Sequence, residues 1–237
     1  MHTISRTILV TGASSGIGRA VAKSLLHQGH FVVGTSRDCS QFTTEHENFR
    51  SIEIDFAKLE FIANNLKMLE KQYPALDGVV FAAGYGQFGS LEQFSYAQIE
   101  NLLTVNFTSQ AFITRTLLPA LKRKACAHLI YIGSEAALKG SRKGSIYCAS
   151  KFALRGFTQA LREECGSSGV RVSLINPGMV KTDFFENLSF QPGDDKTHSL
   201  LAEDIAEAVV YILNSNNNGV IDEINLNPAN KVIKFKK

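Results

Sequence analysis

The chain has 237 residues, of which 44% are hydrophobic and 20% are charged, and its formal net charge is +3. These values are ordinary for a globular protein with a core, and so small a charge without a basic stripe argues against nucleic-acid binding. No run of about 18 consecutive apolar residues is present, so we expect no membrane span.

The four cysteines are not arranged as metal ligands. They form no Cys-x-x-Cys pair and no histidine cluster accompanies them. We therefore predict no metal site and reduced thiols. The first residues lack a basic region followed by a long apolar run, so we expect no secretory signal and a cytoplasmic protein.

Short apolar runs alternate with segments of helical periodicity along the whole chain. The predicted strands are 7–10, 31–35, 51–56, 76–83, 129–132, 170–175 and 220–226. The predicted helices end near residues 28, 73, 122, 165 and 213, and the third is interrupted near Asn106. This alternation predicts an α/β fold with a parallel sheet covered by helices on both faces. Without a linker, repeat or composition break, we expect one domain over residues 1–237.

A glycine-rich turn separates the first predicted strand from the first helix. It reads Thr11-Gly12-Ala13-Ser14-Ser15-Gly16-Ile17-Gly18. Glycines in such a turn let backbone N–H groups approach a pyrophosphate at the helix N-terminus. A glycine triplet alone says little, but its position between a strand and a helix predicts a dinucleotide site.

The second strand ends at Ser36-Arg37. An NAD site usually places an acid about 20 residues beyond the glycines, where it binds the ribose. Here Arg37 could instead bind a 2′-phosphate, and no acid occupies position 36 to repel that group. The ending favours NADP over NAD, the alternative being a solvated surface arginine.

Ser134, Tyr147 and Lys151 form a second pattern. Ser134 follows an apolar strand, and Tyr147 and Lys151 are four apart on a predicted helix, where they share a face. A nearby ammonium would lower the pKa of a phenol, and a serine hydroxyl could hold a carbonyl oxygen beside it. The set suits proton transfer to oxygen. Tyr-x-x-x-Lys alone also occurs by chance on many helices.

Together these motifs resemble the classical short-chain dehydrogenase/reductase family over essentially the whole chain. The resemblance implies a Rossmann-like, doubly wound fold and an active site of Ser134, Tyr147, Lys151 and Asn106. It also implies a set of cofactor-binding residues: Gly12, Ser14, Ser15, Gly16, Ile17, Gly18, Ser36, Arg37, Asp55, Ala83, Gly84, Tyr147, Lys151, Pro177, Gly178, Val180 and Thr182.

One segment departs from the family pattern. Family members often have an asparagine after the fourth strand, whereas this chain reads Phe81-Ala82-Ala83-Gly84. Backbone contact with the cofactor through Ala83 and Gly84 should persist. The asparagine that usually braces the central sheet is missing, which leaves the strength of this brace open.

The resemblance implies an NADPH-dependent interconversion of a carbonyl and a secondary alcohol. In that scheme Ser134 holds the oxygen, Tyr147 transfers the proton, Lys151 also holds the nicotinamide ribose and Asn106 anchors a water. The alternative is a catalytically silent NADPH-binding regulatory protein, which would have no need of this proton-transfer set. Family members commonly form homodimers or homotetramers through their long helices.

The substrate is less constrained. We expect residues 85–88, the loop after Ser134 and residues 179–199 to wall its pocket. Residues 183–199 are predicted to be an irregular lid with an apolar inner side, or else a surface helix whose aromatics join the core. Small 3-hydroxy or 3-oxo acids, 3-oxoacyl compounds and simple carbonyls all remain open as substrates.

Two basic stretches complete the sequence. Lys139, Arg142 and Lys143, beside Ser134, could pair with a substrate carboxylate or phosphate, or could simply be solvated. Residues 231–237 are also basic, and we expect them to be a solubilising end.

Overall fold

The computed structural model describes residues 5–40, 46–215 and 218–236. The start of the N-terminal stretch and Lys237 of the basic end lie outside these ranges. Within them, no helix is long and apolar enough to cross a membrane.

Nine strands and six α-helices are present in the described ranges. The strands are β1 Thr7–Thr11, β2 Phe31–Ser36, β3 Phe49–Glu53, β4 Leu76–Phe81, β5 Ala127–Ile132, β6 Val170–Pro177, β7 Phe190–Pro192, β8 Glu223–Leu226 and β9 Ile233–Phe235. The helices are α1 Gly16–His27, α2 Leu59–Gln72, α3 Tyr96–Leu103, α4 Ser109–Leu121, α5 Ser145–Cys165 and α6 Ala202–Leu213.

Seven strands form one parallel sheet in the order β3-β2-β1-β4-β5-β6-β8. The strand order reverses between β1 and β4, which is where open α/β sheets bind ligands, beyond the carboxyl ends of their strands. The predicted parallel α/β sheet is therefore confirmed. The predicted bounds of three strands are wrong in detail. The third begins at Phe49 rather than Ser51 and ends at Glu53, the fourth ends at Phe81, and the last begins at Glu223.

The core lies on both faces of this sheet. Successive strand residues point to opposite faces, so Ile8 and Val10 pack with α1 and α6, whereas Leu9 packs with α2, α4 and α5. All three side chains are fully buried. Burial on both faces explains why the strands read as continuous apolar runs rather than alternating ones.

A π-helical turn, Thr104–Thr108, joins α3 to α4. It confirms the interruption predicted near Asn106, and Asn106 itself is fully buried. Helix α3 begins with a capping box, in which Ser95 and Gln98 satisfy each other's backbone N–H groups. Single π turns occur often at functional sites.

Strands β7 and β9 form a separate antiparallel pair, with Phe190 opposite Phe235. Two expectations are corrected here. Residues 183–199 are neither wholly irregular nor a surface helix, because they contain β7 between two short 3-10 turns. Residues 231–236 are not simply a solubilising end, because their backbone is hydrogen-bonded to β7.

Candidate active site

The glycine-rich turn brings β1, α1 and β4 into close backbone contact. Gly12 has φ +69°, and a Cβ added there would lie 2.9 Å from Ala83 Cα. A Cβ on Gly18 would lie 2.2 Å from the Gly12 carbonyl oxygen. Both positions therefore require glycine for reasons internal to the chain. The turn places Ser14, Ser15 and the N-terminus of α1 at the carboxyl edge of the sheet.

Thr11 and Gln110 brace the segment after β4, where this chain lacks the asparagine. The Thr11 hydroxyl oxygen accepts hydrogen bonds from Ala82 N and Ala83 N, each at 3.1 Å. Gln110 on α4 donates from Nε2 to the Ala83 carbonyl at 3.2 Å. Sequence reasoning missed Thr11 and Gln110 in this role, because nothing local to either residue points to β4.

Ser36, Arg37 and Asp55 lie together at the end of β2 and beyond β3. Ser36 is buried and donates to the Asp38 carbonyl oxygen at 2.7 Å. The Asp38 carboxylate accepts from the Ser40 hydroxyl at 2.6 Å, while Arg37 is exposed. Asp55 accepts from Ala57 N at 3.0 Å. In this arrangement the guanidinium of Arg37 has no carboxylate pair among the described residues.

Ser134, Tyr147, Lys151 and Asn106 converge beyond the ends of β4 and β5. Lys151 Nζ lies 5.9 Å from the centroid of the Tyr147 ring and donates to the Ile132 carbonyl at 3.1 Å. A Cβ on Gly84 would lie 3.1 Å from Asn106 Oδ1 and 3.9 Å from Lys151 Nζ. The three residues predicted from spacing, and the asparagine that the resemblance implies, are thus brought to one place.

The side-chain amide of Asn106 makes hydrogen bonds to the backbone of Tyr85 with both its oxygen and its nitrogen. Oδ1 accepts from Tyr85 N at 3.0 Å, and Nδ2 donates to the Tyr85 carbonyl at 2.9 Å. The amide therefore fixes the chain just after Gly84. A weaker contact, 3.4 Å long, joins Nδ2 to Ser150 Oγ on α5.

Asn176, at the end of β6, positions the backbone of Ser134. Its Oδ1 accepts from Ser134 N at 3.3 Å, and its Nδ2 donates to Glu223 Oε1 at 2.8 Å and to Asn225 Oδ1 at 2.9 Å. Asn176 was not predicted to have this role, because all three of its partners lie more than 40 residues away in the sequence. Its position directly before Pro177-Gly178 was the available signal.

Burial controls the protonation of this site. Desolvation raises the pKa of Tyr147 to about 12, although a hydrogen bond with Ser134 favours the phenolate. The same desolvation lowers the pKa of Lys151 to about 8. The expectation that Lys151 lowers the pKa of Tyr147 is not met here. Loss of water around the phenol outweighs the effects of its neighbours.

Residues 178–182, after β6, extend towards the glycine-rich turn. Gly178 N donates to the Leu226 carbonyl at 2.7 Å, and Val180 forms a β-bridge with Leu200. Thr182 caps a 3-10 turn by accepting from Phe184 N at 3.3 Å. A Cβ on Gly16 would lie 3.4 Å from Thr182 Cγ2. Thr182 and the first turn of α1 therefore face each other.

A cleft of about 1040 Å³ lies between the first turn of α1, the residues around Ser134 and Tyr147, and the segment after β6. Its inner part includes Ile17, Gly84, Ser134, Tyr147 and Lys151. Its outer part is apolar and aromatic, with a basic rim. The lining there includes Phe88, Leu138, Lys139, Arg142, Lys143, Phe184, Phe185, Phe190, Lys231, Ile233, Phe235 and Lys236.

The predicted lid folds over the phenol. The Phe184 ring centroid lies 6.0 Å from that of Tyr147, and a Cβ on Gly86 would lie 2.3 Å from Phe184 Cζ. Phe185 and Leu188 are buried in a satellite cluster beside it. Residues 183–199 thus present apolar side chains to the cleft, and Tyr85 and Phe88 line it as well. That this segment is a substrate lid stays a prediction.

The inner cleft suits a dinucleotide. Ser15, at the N-cap of α1, makes no side-chain capping bond within the described part of the chain. The first N–H groups of α1 can therefore bind a phosphate. The exposed Arg37 and the uncharged Ser36 suit a further phosphate at the end of β2. Within the described ranges, no group of three or more His, Cys, Asp or Glu side chains is placed to hold a metal ion.

Comparison with known proteins agrees with this geometry. The short chain dehydrogenase family matches residues 6–192. An uncharacterised oxidoreductase of Staphylococcus aureus is 31% identical, over 93% of this chain and 96% of its own. A metagenomic short-chain oxidoreductase solved with NADP is 28% identical, with a TM-score of 0.82 over 98% of this chain and 100% of its own. The closed form of a serine dehydrogenase with NADP+ is 25% identical, with a TM-score of 0.82 over 93% and 94% of the two chains.

Proposed function

The chain belongs to the short chain dehydrogenase family, and on that premise we propose that it is a single-domain, NADP-dependent oxidoreductase interconverting a carbonyl and a secondary alcohol. The convergence of Ser134, Tyr147 and Lys151 on the floor of one cleft carries the proposal. NADP supplies or accepts a hydride when it is bound. The protein orients the reactants and manages the proton.

In the reducing direction, the Ser134 hydroxyl donates a hydrogen bond to the substrate oxygen. The Tyr147 phenol then gives its proton to that oxygen as negative charge develops there. A neutral phenol is the required starting form, and the raised pKa of Tyr147 keeps it protonated at neutral pH. Lys151 supplies positive charge beside the ring, and Asn106 holds the adjacent backbone while anchoring a water for proton return.

The cofactor would lie along the carboxyl edge of the sheet. The glycine-rich turn, with Ser14 and Ser15, would hold the pyrophosphate. Asp55 would lie near the adenine, and Arg37 with Ser36 would bind the 2′-phosphate. Ala83, Gly84, Pro177, Gly178, Val180 and Thr182 would contact the nicotinamide half. Solved relatives at 25% and 28% identity contain NADP, which supports this choice of cofactor.

The substrate class that we favour is a small 3-hydroxy or 3-oxo acid, or a 3-oxoacyl compound. Lys139, Arg142 and Lys143 are exposed on the rim of the cleft, where they can meet an anionic group. One solved relative is a serine dehydrogenase, and serine is itself a 3-hydroxy acid. We place the enzyme in the cytoplasm, as a homodimer or homotetramer. The partly exposed Phe112 on α4 and Phe152 on α5 support association through these helices.

The test is NADPH and NADH oxidation with a panel of 3-oxo acids, 3-oxoacyl thioesters, diketones and aromatic aldehydes. Turnover with NADPH is expected. Arg37→Ala should lower the affinity for NADPH much more than the affinity for NADH. Equal loss for both cofactors would refute the role of Arg37. Tight NADPH binding without turnover across the panel would favour the regulatory alternative.

A further inference from the structure

The 231–236 segment is built into the wall of the catalytic cleft. Strand β9 pairs with β7, and on either side of it Gly193 N donates to the Val232 carbonyl at 3.0 Å and Lys236 N to the Ser189 carbonyl at 2.8 Å. The segment therefore lies beside β7 in a two-stranded sheet and contributes to the lining of the cleft.

The N-terminal end of the segment contacts the residue that follows Ser134. Lys231 Nζ forms an ion pair with Glu135, which directly follows Ser134. At the other end, Lys236 Nζ donates to the Phe185 carbonyl oxygen and, at 2.9 Å, to that of Glu186. The segment thus spans the mouth of the cleft between its two walls, and both of these ammonium groups already have partners within the chain.

Alternation along β9 decides which side chains face the cleft. Ile233 and Phe235 line it, whereas Lys234 points away and pairs with Asp194 at 2.6 Å. Ile233 is 46% exposed and Phe235 is 74% exposed. Because the two cleft-lining lysines are engaged elsewhere, the surface that this strand offers to a ligand is apolar.

An aromatic path joins that surface to the phenol. The ring centroids of Tyr147 and Phe88 are 5.0 Å apart, as are those of Phe88 and Phe190. Phe190 lies opposite Phe235 in the β7–β9 register, so the two are cross-strand neighbours. A substrate whose carbonyl is held at Tyr147 can therefore extend along this path to the exposed ring of Phe235.

We propose that the 231–236 segment is a substrate-specificity element, in which Ile233 and Phe235 contact an apolar chain or ring carried by the substrate beyond its reacting carbon. This inference rests on the proposed function and narrows it. The substrate combines a 3-hydroxy or 3-oxo acid end with an apolar body that a serine-sized molecule lacks.

The test uses two probes, 3-hydroxypentanoate and 3-hydroxy-5-phenylpentanoate, which differ by one phenyl group. Their affinities for the NADPH-bound protein are measured by ligand-observed NMR titration, since an alcohol cannot react with the reduced cofactor. The wild type should bind the phenyl probe several-fold more tightly. Phe235→Ala should lower the affinity for the phenyl probe by about fivefold, which is the scale of one aromatic contact. The affinity for the shorter probe should not change. Lys234→Ala, its neighbour on the same strand, is the matched control and should change neither affinity.

Equal effects of Phe235→Ala on both probes, or no preference of the wild type for the phenyl probe, would overturn the inference. If Phe235 instead packs against a second copy of the chain, Phe235→Ala will shift the oligomeric state and leave the ratio of affinities unchanged. Binding is measured without turnover, so absence of NADPH oxidation would refute the proposed function separately.

Discussion

The two halves of the cleft are built on different physical principles. The cofactor half is formed by close backbone approach, as where Gly18 meets the Gly12 carbonyl, and by buried hydrogen bonds such as those of Thr11. The substrate half is formed by aromatic side chains, a short two-stranded sheet and partly exposed ion pairs. The cofactor half tolerates almost no change of shape. The substrate half can change its lining without disturbing the core, so substrate specificity can vary while the cofactor site stays constant.

Tyr147 lies where the halves meet, and its removal should have the largest effect. Tyr147→Phe keeps the ring that packs on Phe88 and Phe184 but removes the proton donor. We expect kcat to fall by about 10² to 10⁴-fold, while NADPH affinity changes little. Steady-state kinetics and a fluorescence titration check this. Tyr131→Phe, which removes a buried phenol bonded to Thr114 outside the cleft, is the control and should keep its turnover. Near wild-type rates in Tyr147→Phe would refute the mechanism.

The rigidity of the cofactor half is tested by Gly18→Ala. The added methyl would lie 2.2 Å from a backbone oxygen, so β1 and α1 must separate. We expect the free energy of unfolding to fall by about 3 kcal/mol, together with a loss of NADPH binding. Gly156→Ala is the control, since its Cβ meets no atom within 4 Å inside α5. It should stabilise the protein by about 0.5 to 1 kcal/mol. Similar unfolding curves for Gly18→Ala and Gly156→Ala would contradict the claim that the cofactor half cannot accommodate a change of shape.

The buried Lys151, beside Tyr147, should make the stability of the protein depend on pH. Its pKa is about 8 in the folded protein, against 10.5 for an unperturbed lysine, so the unfolded chain binds more protons between these values. The contribution of Lys151 to stability should therefore rise with pH above about 8, by about 2 kcal/mol up to pH 10. The raised pKa values of Cys165, from about pH 9, and of Tyr131 and Tyr147, from about pH 10, act in the opposite direction. Urea unfolding at stepped pH measures the change of stability with pH in the wild type and in Lys151→Met, and the difference between the two is the contribution of Lys151. The same change with pH in both proteins would contradict the burial of the ammonium.

The smallest effect expected is that of Thr11→Val. It preserves shape but leaves Ala82 N and Ala83 N without their acceptor, which should cost about 1.5 kcal/mol of unfolding free energy. Thr35 lies opposite Thr11 on β2, and its buried hydroxyl has no partner among the described residues. Thr35→Val should therefore be neutral or stabilising. Equal losses in the two variants would show that Thr11 is not a brace.

The contrast also explains what the sequence could predict. The glycine-rich turn and the Tyr147–Lys151 spacing are local patterns, so both can be detected in the sequence. Their positions among the predicted strands and helices then indicate the chemistry. Pairing of β7 with β9 joins segments some 40 residues apart, and three-residue strands leave little periodicity to detect. Alternation at Ile233-Lys234-Phe235 was the one available signal, and the surrounding lysines obscured it. The direction of the Tyr147 pKa shift depends on burial, which spacing does not report.

The π turn at Thr104–Thr108 has a consequence for insertions and deletions in this protein. A π turn accommodates one residue more than an α-helical turn, so α3 and α4 are out of phase by about 100° relative to one continuous helix. Deleting one residue here would let a regular helix form, but would turn Asn106 or Gln110 away from its partner. A shorter loop elsewhere on the surface could be tolerated, whereas this single extra residue is fixed by contacts on both sides of it.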